Sequence, residues 1–421
     1  MNKRIDSLDY LRGISLILVV FFHTSVYSFV NIDKIDFNNP PIIVVMISFL
    51  VLWGGLLIFY SGIVNTIMFS GRIEMLGNLK HANFLFIAGG IYIIIHYILN
   101  IFLGRWNVDF INNQPDMTVV ASSIRNMQLT FPRITKFFEG SSISTIGLNL
   151  IIVTSLLFFL LRNKGFEKEK RNYWVLGISG FIIMLFSFTR IYLYSIVGQS
   201  IQAKNYLVAT ILSFTIANPY PLLPYLAYGL FASIIGLMIY RKRENLIKKV
   251  IIPIGLFFFI YGLVGCMNFP KTISKADYFW YFKTHLELGI FILIITFFWL
   301  TFEFRNKKII NIPFIKWFSR VSLTIYLLET LLSEIFGKIL SYLIPAWNQT
   351  INGCLIFGAL NIIIWILILW IWQKNNFKFS VEYWWVKIFR KLGKKSDLNR
   401  DTSHFFLCNR RWSFGNISGS I

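Results

Sequence analysis

Charge is what this chain is short of. Only 14% of its 421 residues are Asp, Glu, Lys or Arg, against about 25% in a soluble domain. Too few polar groups remain to coat a water-facing surface, which excludes an ordinary soluble domain and leaves lipid to cover much of the molecule. Acidic residues are the scarcer sign, 19 against 41 basic, for a formal charge of +22. Cysteine is nearly absent. Cys266, Cys354 and Cys408 lie far apart, so no disulfide framework and no Cys-based metal or redox spacing is implied. Two of them sit in apolar runs, where a free thiol behaves as a small hydrophobe. There is no P-loop, no dinucleotide glycine fingerprint and no repeat of 20–50 residues.

Apolar residues are what the chain has in abundance: 56% are hydrophobic and 18% aromatic. They come in runs near the ~20 residues that a helix needs to cross ~30 Å of hydrocarbon. Several such runs exclude a cleaved signal peptide as their explanation. The spans read as 10–31, 42–69, 82–103, 146–161, 173–197, 222–240, 250–268, 284–302, 321–342 and 352–373. The predicted fold is an all-α, polytopic transmembrane bundle of about ten spans. With the N-terminus inside, most Lys and Arg fall on the cytoplasmic side, as the positive-inside rule requires. That distribution answers the +22 without invoking nucleic acid. It predicts a multi-pass cell-membrane protein with both termini cytoplasmic.

Segment 206–217 is the exception. As a full span it would flip the basic run Arg241, Lys242, Arg243, Lys248, Lys249 to the outside, so it reads as a half-span or re-entrant piece. Irregular backbone at that depth needs protein or a water-filled cavity around it. Residues 1–390 are expected to form the membrane domain, and 391–421 a basic, polar, disordered cytoplasmic tail. The one long outer loop, 104–142, reads either as a lid or acceptor site or as a merely tolerated connection.

Ionisable groups inside spans are costly and therefore functional hypotheses. In the first span Arg12 and His23 are eleven residues apart, about 16 Å along the axis and three turns plus about 20° around it. Both thus project from nearly one face, Arg12 at the cytoplasmic mouth and His23 in the interior. A guanidinium fork suits phosphate, and His is the usual general base near neutral pH. The alternative is that Arg12 only snorkels and His23 only bonds a neighbouring helix. His96, Arg190, Glu287 and Glu329 fall level with or above His23, which suggests one polar cavity. The bland alternative pairs them structurally, for instance Arg190 with Glu287 or Glu329. His285 reads as solvated near the outer interface. Trp280 and Trp347 read as interfacial belt before sugar platforms. No metal site is expected.

Residues 4–24, RIDSLDYLRGISLILVVFFHT, resemble the start of the membrane-bound acyltransferase superfamily. That superfamily includes the acyltransferase-three enzymes that O-acetylate sugars and the heparan-glucosaminide N-acetyltransferase-like proteins. Its signature, an Arg and a His with ten residues between them, is matched by Arg12 and His23. GGLLIFYSG (54–62), PLLPYLAYGLFASIIG (221–236) and SRVSLTIYLLE (319–329) are similar to later family segments and add Ser61 and Tyr326 to the candidate cavity residues. Many sugar O-acetylating relatives carry a His after the late Tyr-Leu, where this chain has Glu329.

The resemblance implies acyl transfer, most naturally acetyl. The co-substrate would be a cytoplasmic acyl-CoA such as acetyl-CoA, and the acceptor a hydroxyl or amine of an outer-facing glycan or lipid-linked sugar. His23 is then the expected catalytic group, with Arg12 and Asp9 binding the donor. The competing class is a transporter or flippase whose buried charges move a polar solute. Its hallmark, matching halves with paired broken helices, is missing from the sequence, which shows one interrupted region only.

Overall fold

A computed structural model of the chain describes residues 5–31, 53–76, 82–104, 107–109, 114–217, 220–269, 276–305, 309, 312–385 and 387. The start of the expected span 42–69 and the tail 391–421 lie outside the described residues.

The first helix, α1 (Asp6–Val26), starts where the sequence turns acidic: Asp6 and Asp9 fall in its first turn, where the helix dipole favours negative charge. The Ser7 N–H, one of the donors a helix start leaves without an internal partner, is met at 3.0 Å by the Glu303 carboxylate. The helix therefore begins four residues before the expected span 10–31 and ends five before it. His23 consequently sits in the last turn rather than in the interior.

Next come α2 (Trp53–Leu76) and α3 (Ala82–Tyr97), which runs on through a π-helical turn, Ile98–Leu103. The long loop carries a small antiparallel ribbon, β1 (Asn107–Asp109) with β2 (Gln114–Asp116), and a short helix, α4 (Ala121–Asn126). The helix α5 (Ser142–Leu161) opens on a capping box in which the Ser141 and Ser144 side chains serve each other's backbone. A 3₁₀ turn joins α6 (Glu169–Phe186) to α7 (Arg190–Gln202).

The expected half-span is a short helix, α8 (Tyr206–Leu212), prolonged by the π turn Ser213–Ala217. At 1.5 Å per residue it reaches only about 18 Å. There follow α9 (Leu222–Tyr240), α10 (Glu244–Asn268), α11 (Tyr278–Phe304), α12 (Pro313–Arg320), α13 (Ser322–Leu343) and α14 (Ile351–Gln373). A last helical turn covers 381–385.

Among the described residues, nine helical segments are long and apolar enough to cross a membrane. The one other expected span, 321–342, is α13, which has the length, 22 residues, but spends part of it on Glu329, Glu334 and Lys338. Apart from the ribbon, the described fold is an all-α polytopic bundle.

Its centre is α9, buried on nearly every side from Ala227 to Ile239. Small residues at Ala227, Gly229, Ala232, Ser233 and Gly236 let neighbours approach closely, the usual basis of helix association in lipid. A Cβ on Gly62 of α2 would stand 2.7 Å from that of Ala232. Apolar side chains such as Trp174, Phe257 and Ile363 point outward and exposed, as lipid-facing residues do.

Candidate functional site

Helix α1 is gripped by α12, α13 and α14, and these contacts order the residues that carry chemistry. Gly13 makes the approach of α12 possible, since a Cβ there would overlap the Ile315 backbone carbonyl. With α12 that close, Arg12 Nε donates to Ser319 Oγ at 2.9 Å, and Arg12 Nη2 reaches Asp9 Oδ1 at 3.2 Å. Ser319 Oγ in turn donates to Asp9 Oδ1 at 3.4 Å, and the Tyr60 ring of α2 lies 5.4 Å from the guanidinium. The guanidinium is thus held in a fixed pose at the Asp6 end of the bundle, partly open to solvent.

At the other end of α1, His23 Nδ1 lies 2.5 Å from Glu329 Oε1. The contact is a consequence of parallel helices: Arg12 meets Ser319, and eleven residues on, His23 meets Glu329 ten residues beyond Ser319. The Glu329 side chain is almost completely buried, that of His23 mostly so. An imidazole whose Nδ1–H is donated to a carboxylate presents Nε2 as the nitrogen able to take a proton. Tyr326, one turn before Glu329, stands edge-on to the imidazole at 6.3 Å, and Tyr27 stands at 5.8 Å. On the Tyr27 side opens a recess of about 20 Å³, lined by His23, Thr24, Tyr27, Glu329, Ser333 and Glu334 among others, room for about one water molecule.

The connection between α3 and α5 covers this end. Its helix α4 packs on α13, and Arg125 Nη1 stands 3.7 Å from Glu334 Oε1. Glu334, Ser319 and Arg125 did not stand out in the sequence. Ser319 was inside a recognised segment, and Glu334 lies five residues past Glu329, but only the fold carries Arg125 across 209 positions to reach it.

The remaining candidates fall into separate groups instead of one cavity. Glu287 accepts hydrogen bonds from the hydroxyls of Tyr225 (3.3 Å) and Tyr228 (3.4 Å), and Lys283 lies 3.4 Å away. Arg190 donates to the carbonyls of Ile216 and Ala217, where the interrupted helix leaves acceptors without internal partners. Its guanidinium also lies over the Trp280 ring at 3.4 Å. The suggested pairing of Arg190 with Glu287 or Glu329 is therefore replaced: Glu329 serves His23, Glu287 serves two tyrosines and a lysine, and Arg190 caps the half-span. Trp280 is a partner of Arg190, and Trp347 packs against Phe357 at 4.3 Å.

His96 Nδ1 lies 2.9 Å from Ser141 Oγ, at the N-cap of α5. The next residue, Ser142, meets the Tyr326 hydroxyl at 3.1 Å, so the start of α5 links the His96 and His23 groups. Ser61 receives a hydrogen bond from Asn65 at 2.9 Å and faces a recess between α2, α5 and α9, not the His23 recess. His285, read as solvated, is buried. Its Nδ1 lies 2.8 Å from the Tyr281 carbonyl one turn earlier, and its ring packs on Tyr281 and Tyr261. Among the described residues no cluster of His, Cys, Asp and Glu could hold a metal.

The arrangement as a whole offers a fixed cation at one end of a helix and a carboxylate-backed imidazole about 16 Å away at the other. A family model described as an acyltransferase domain matches residues 5–390, which takes in every group above. No curated protein matches the chain.

Proposed function

Since the chain belongs to acyltransferase family three, a membrane acyltransferase, we propose that it moves an acyl group, in the simplest case acetyl, from cytoplasmic acyl-CoA to a hydroxyl or amine of a glycan or lipid-linked sugar on the far side of the membrane. The observation that carries this reading is the His23–Glu329 contact at 2.5 Å, set one helix-length from Arg12. The phosphates of the carrier meet Arg12, whose permanently charged fork suits them. A pantetheine-type arm is long enough to extend the ~16 Å to His23.

At His23 the acceptor's O–H or N–H is polarised by Nε2. As the acceptor atom attacks the thioester carbonyl, its proton passes to Nε2, and Glu329 balances the imidazolium through Nδ1–H. The new C–O or C–N bond forms, the C–S bond breaks, and the departing CoA thiolate takes the proton back from the imidazolium. Nothing is oxidised or reduced, and the imidazole ends as it began.

The separation of Arg12 from His23 divides the labour, which makes the reading testable. Loss of a charge-assisted phosphate contact costs about 1.5–3 kcal/mol, so Arg12→Ala should weaken binding of radiolabelled acetyl-CoA roughly ten- to a hundredfold. Loss of a general base costs roughly 10²–10⁴ in rate, so His23→Ala should bind donor nearly normally and barely turn over. Donor affinity and single-turnover rate on both variants decide it. Lost donor binding in His23→Ala with retained binding in Arg12→Ala would overturn the assignment.

A further inference from the structure

A large cavity among the described residues lies away from His23. It is a groove of about 1340 Å³ walled by α6 and α10 with α9 as its floor. It exceeds the ~300–1,000 Å³ of a small-molecule pocket. Its mouth is formed by residues 167–171 and 242–246, on the Arg12 side of the bundle, since the end of α11 that borders it also caps α1 through Glu303.

From the mouth inward the walls turn apolar at helical spacing. On α6 the stripe is Trp174, Ile178 and Phe181; on α10 it is Leu246, Val250 and Ile254; Met238 and Ile234 lie beneath. The deep end is closed where Phe181 stacks on Phe258 at 5.1 Å and both meet Phe231 at 5.3 Å. From Arg171 to Phe181 is about 15 Å, half of a ~30 Å hydrocarbon core. The groove is therefore one leaflet deep.

Its rim is positive where it matters. Five cations and three carboxylates line the mouth. Glu169 is already held by Arg241 and Arg243, and Glu244 by Lys248. Arg171 is turned to the Leu160 carbonyl and Asn172. That leaves Lys168, Lys170 and Lys242, all exposed and without an ion pair among the described residues, against the single carboxylate of Glu167.

We propose that this groove is a binding site for an anionic phospholipid of the leaflet on the Arg12 side. The headgroup phosphate sits among Lys168, Lys170 and Lys242, and the acyl chains lie along Trp174, Ile178 and Val250 as far as the phenyl cluster. Apolar walls of one-leaflet depth beneath a cationic rim match a lipid and mismatch a wholly water-soluble anion, which would leave those walls uncovered.

Native mass spectrometry of the purified full-length protein, titrated with phosphatidylglycerol or phosphatidylcholine, reads the binding directly. Juxtamembrane lysines contribute a factor of about five each toward anionic lipid. Replacing all three (Lys168→Gln, Lys170→Gln, Lys242→Gln) should therefore cut phosphatidylglycerol affinity about a hundredfold and leave phosphatidylcholine unchanged. Gly177 on α6 faces the groove, and a Cβ there would meet only Ile234 Cδ1 at 3.8 Å. Gly177→Trp should then fill the groove and expel both lipids while the rim charges stay. Equal binding of the two lipids by the wild-type protein, or undiminished phosphatidylglycerol binding by the triple variant, would overturn the proposal. Release of the bound lipid by acetyl-CoA would assign the groove to the thioester donor and overturn it as well.

Discussion

Glu329 carries a different weight in three dimensions from the one its sequence position suggested. Read along the chain it is one more buried charge in a late span, either part of a polar cavity or a structural partner of Arg190. It stands 2.5 Å from His23 Nδ1, and in the proposed reaction it would orient the imidazole and offset the charge the ring acquires. Glu329→Gln keeps the shape and an acceptor oxygen but removes the charge. It should accumulate in membranes near the wild-type level while single-turnover rate falls roughly a hundredfold, within the range of a lost acid–base function. Unchanged turnover with reduced expression would return Glu329 to a purely structural role. Arg190 behaves oppositely. Its hydrogen bonds to the Ile216 and Ala217 carbonyls hold the end of the half-span. Arg190→Gln should reduce the amount of folded protein by the ~1.5–3 kcal/mol of charge-assisted contacts, with activity per folded molecule within a few fold of wild type.

Among the elements, α12 and α13 decide the geometry of the candidate site, and both are held by contacts far away in sequence. Gly13 admits α12 to α1. Gly13→Ala must push the Ile315 backbone back, at roughly the 1–3 kcal/mol of an overpacked contact, and Ser319 would withdraw from Arg12 with it. The expected result is a raised KM for acyl-CoA with kcat little changed, measurable by steady-state acetyl transfer. At the start of α13, the Leu323 and Thr324 N–H groups and the Thr324 hydroxyl all donate to the Glu382 carboxylate, at 2.7, 3.3 and 2.5 Å. That carboxylate acts as an N-cap supplied from beyond α14, with charge of the sign the helix dipole prefers. Glu382→Ala should cost about 0.5–2 kcal/mol, the usual cost of a lost cap, lowering the detergent melting temperature by a few degrees. Unaltered thermal stability would show that α13 is held by packing alone.

For the molecule as a whole, charge distribution sets the expected orientation. The positive-inside distribution expects an even number of crossings, both termini cytoplasmic, and segment 206–217 turning back on the side where it entered. A cysteine introduced at Lys242 should therefore resist a membrane-impermeant maleimide applied to intact cells and react after permeabilisation. Labelling from outside would invert the topology, and with it the leaflet assigned to the phospholipid groove and the side from which donor reaches Arg12.

The membrane class, the helical character, most span positions and the Arg12–His23 face were legible in the sequence alone, because they depend on local quantities. Hydrophobic run length measures the bilayer, and residue spacing fixes angle and rise along one helix. The family segments around Arg12, Tyr60 and Ser319 were legible for a related reason: each is short and continuous. What only the tertiary structure decided is which charge answers which. Arg190 could have met Glu287 or Glu329, and His285 could have faced water; helix packing sent Glu329 to His23, Arg190 to the carbonyls of a broken helix, and His285 into the α10–α11 contact. Those choices span up to 306 residues and turn on where a glycine lets two backbones touch. Run length and helical spacing describe one element at a time, and that information exists only between elements.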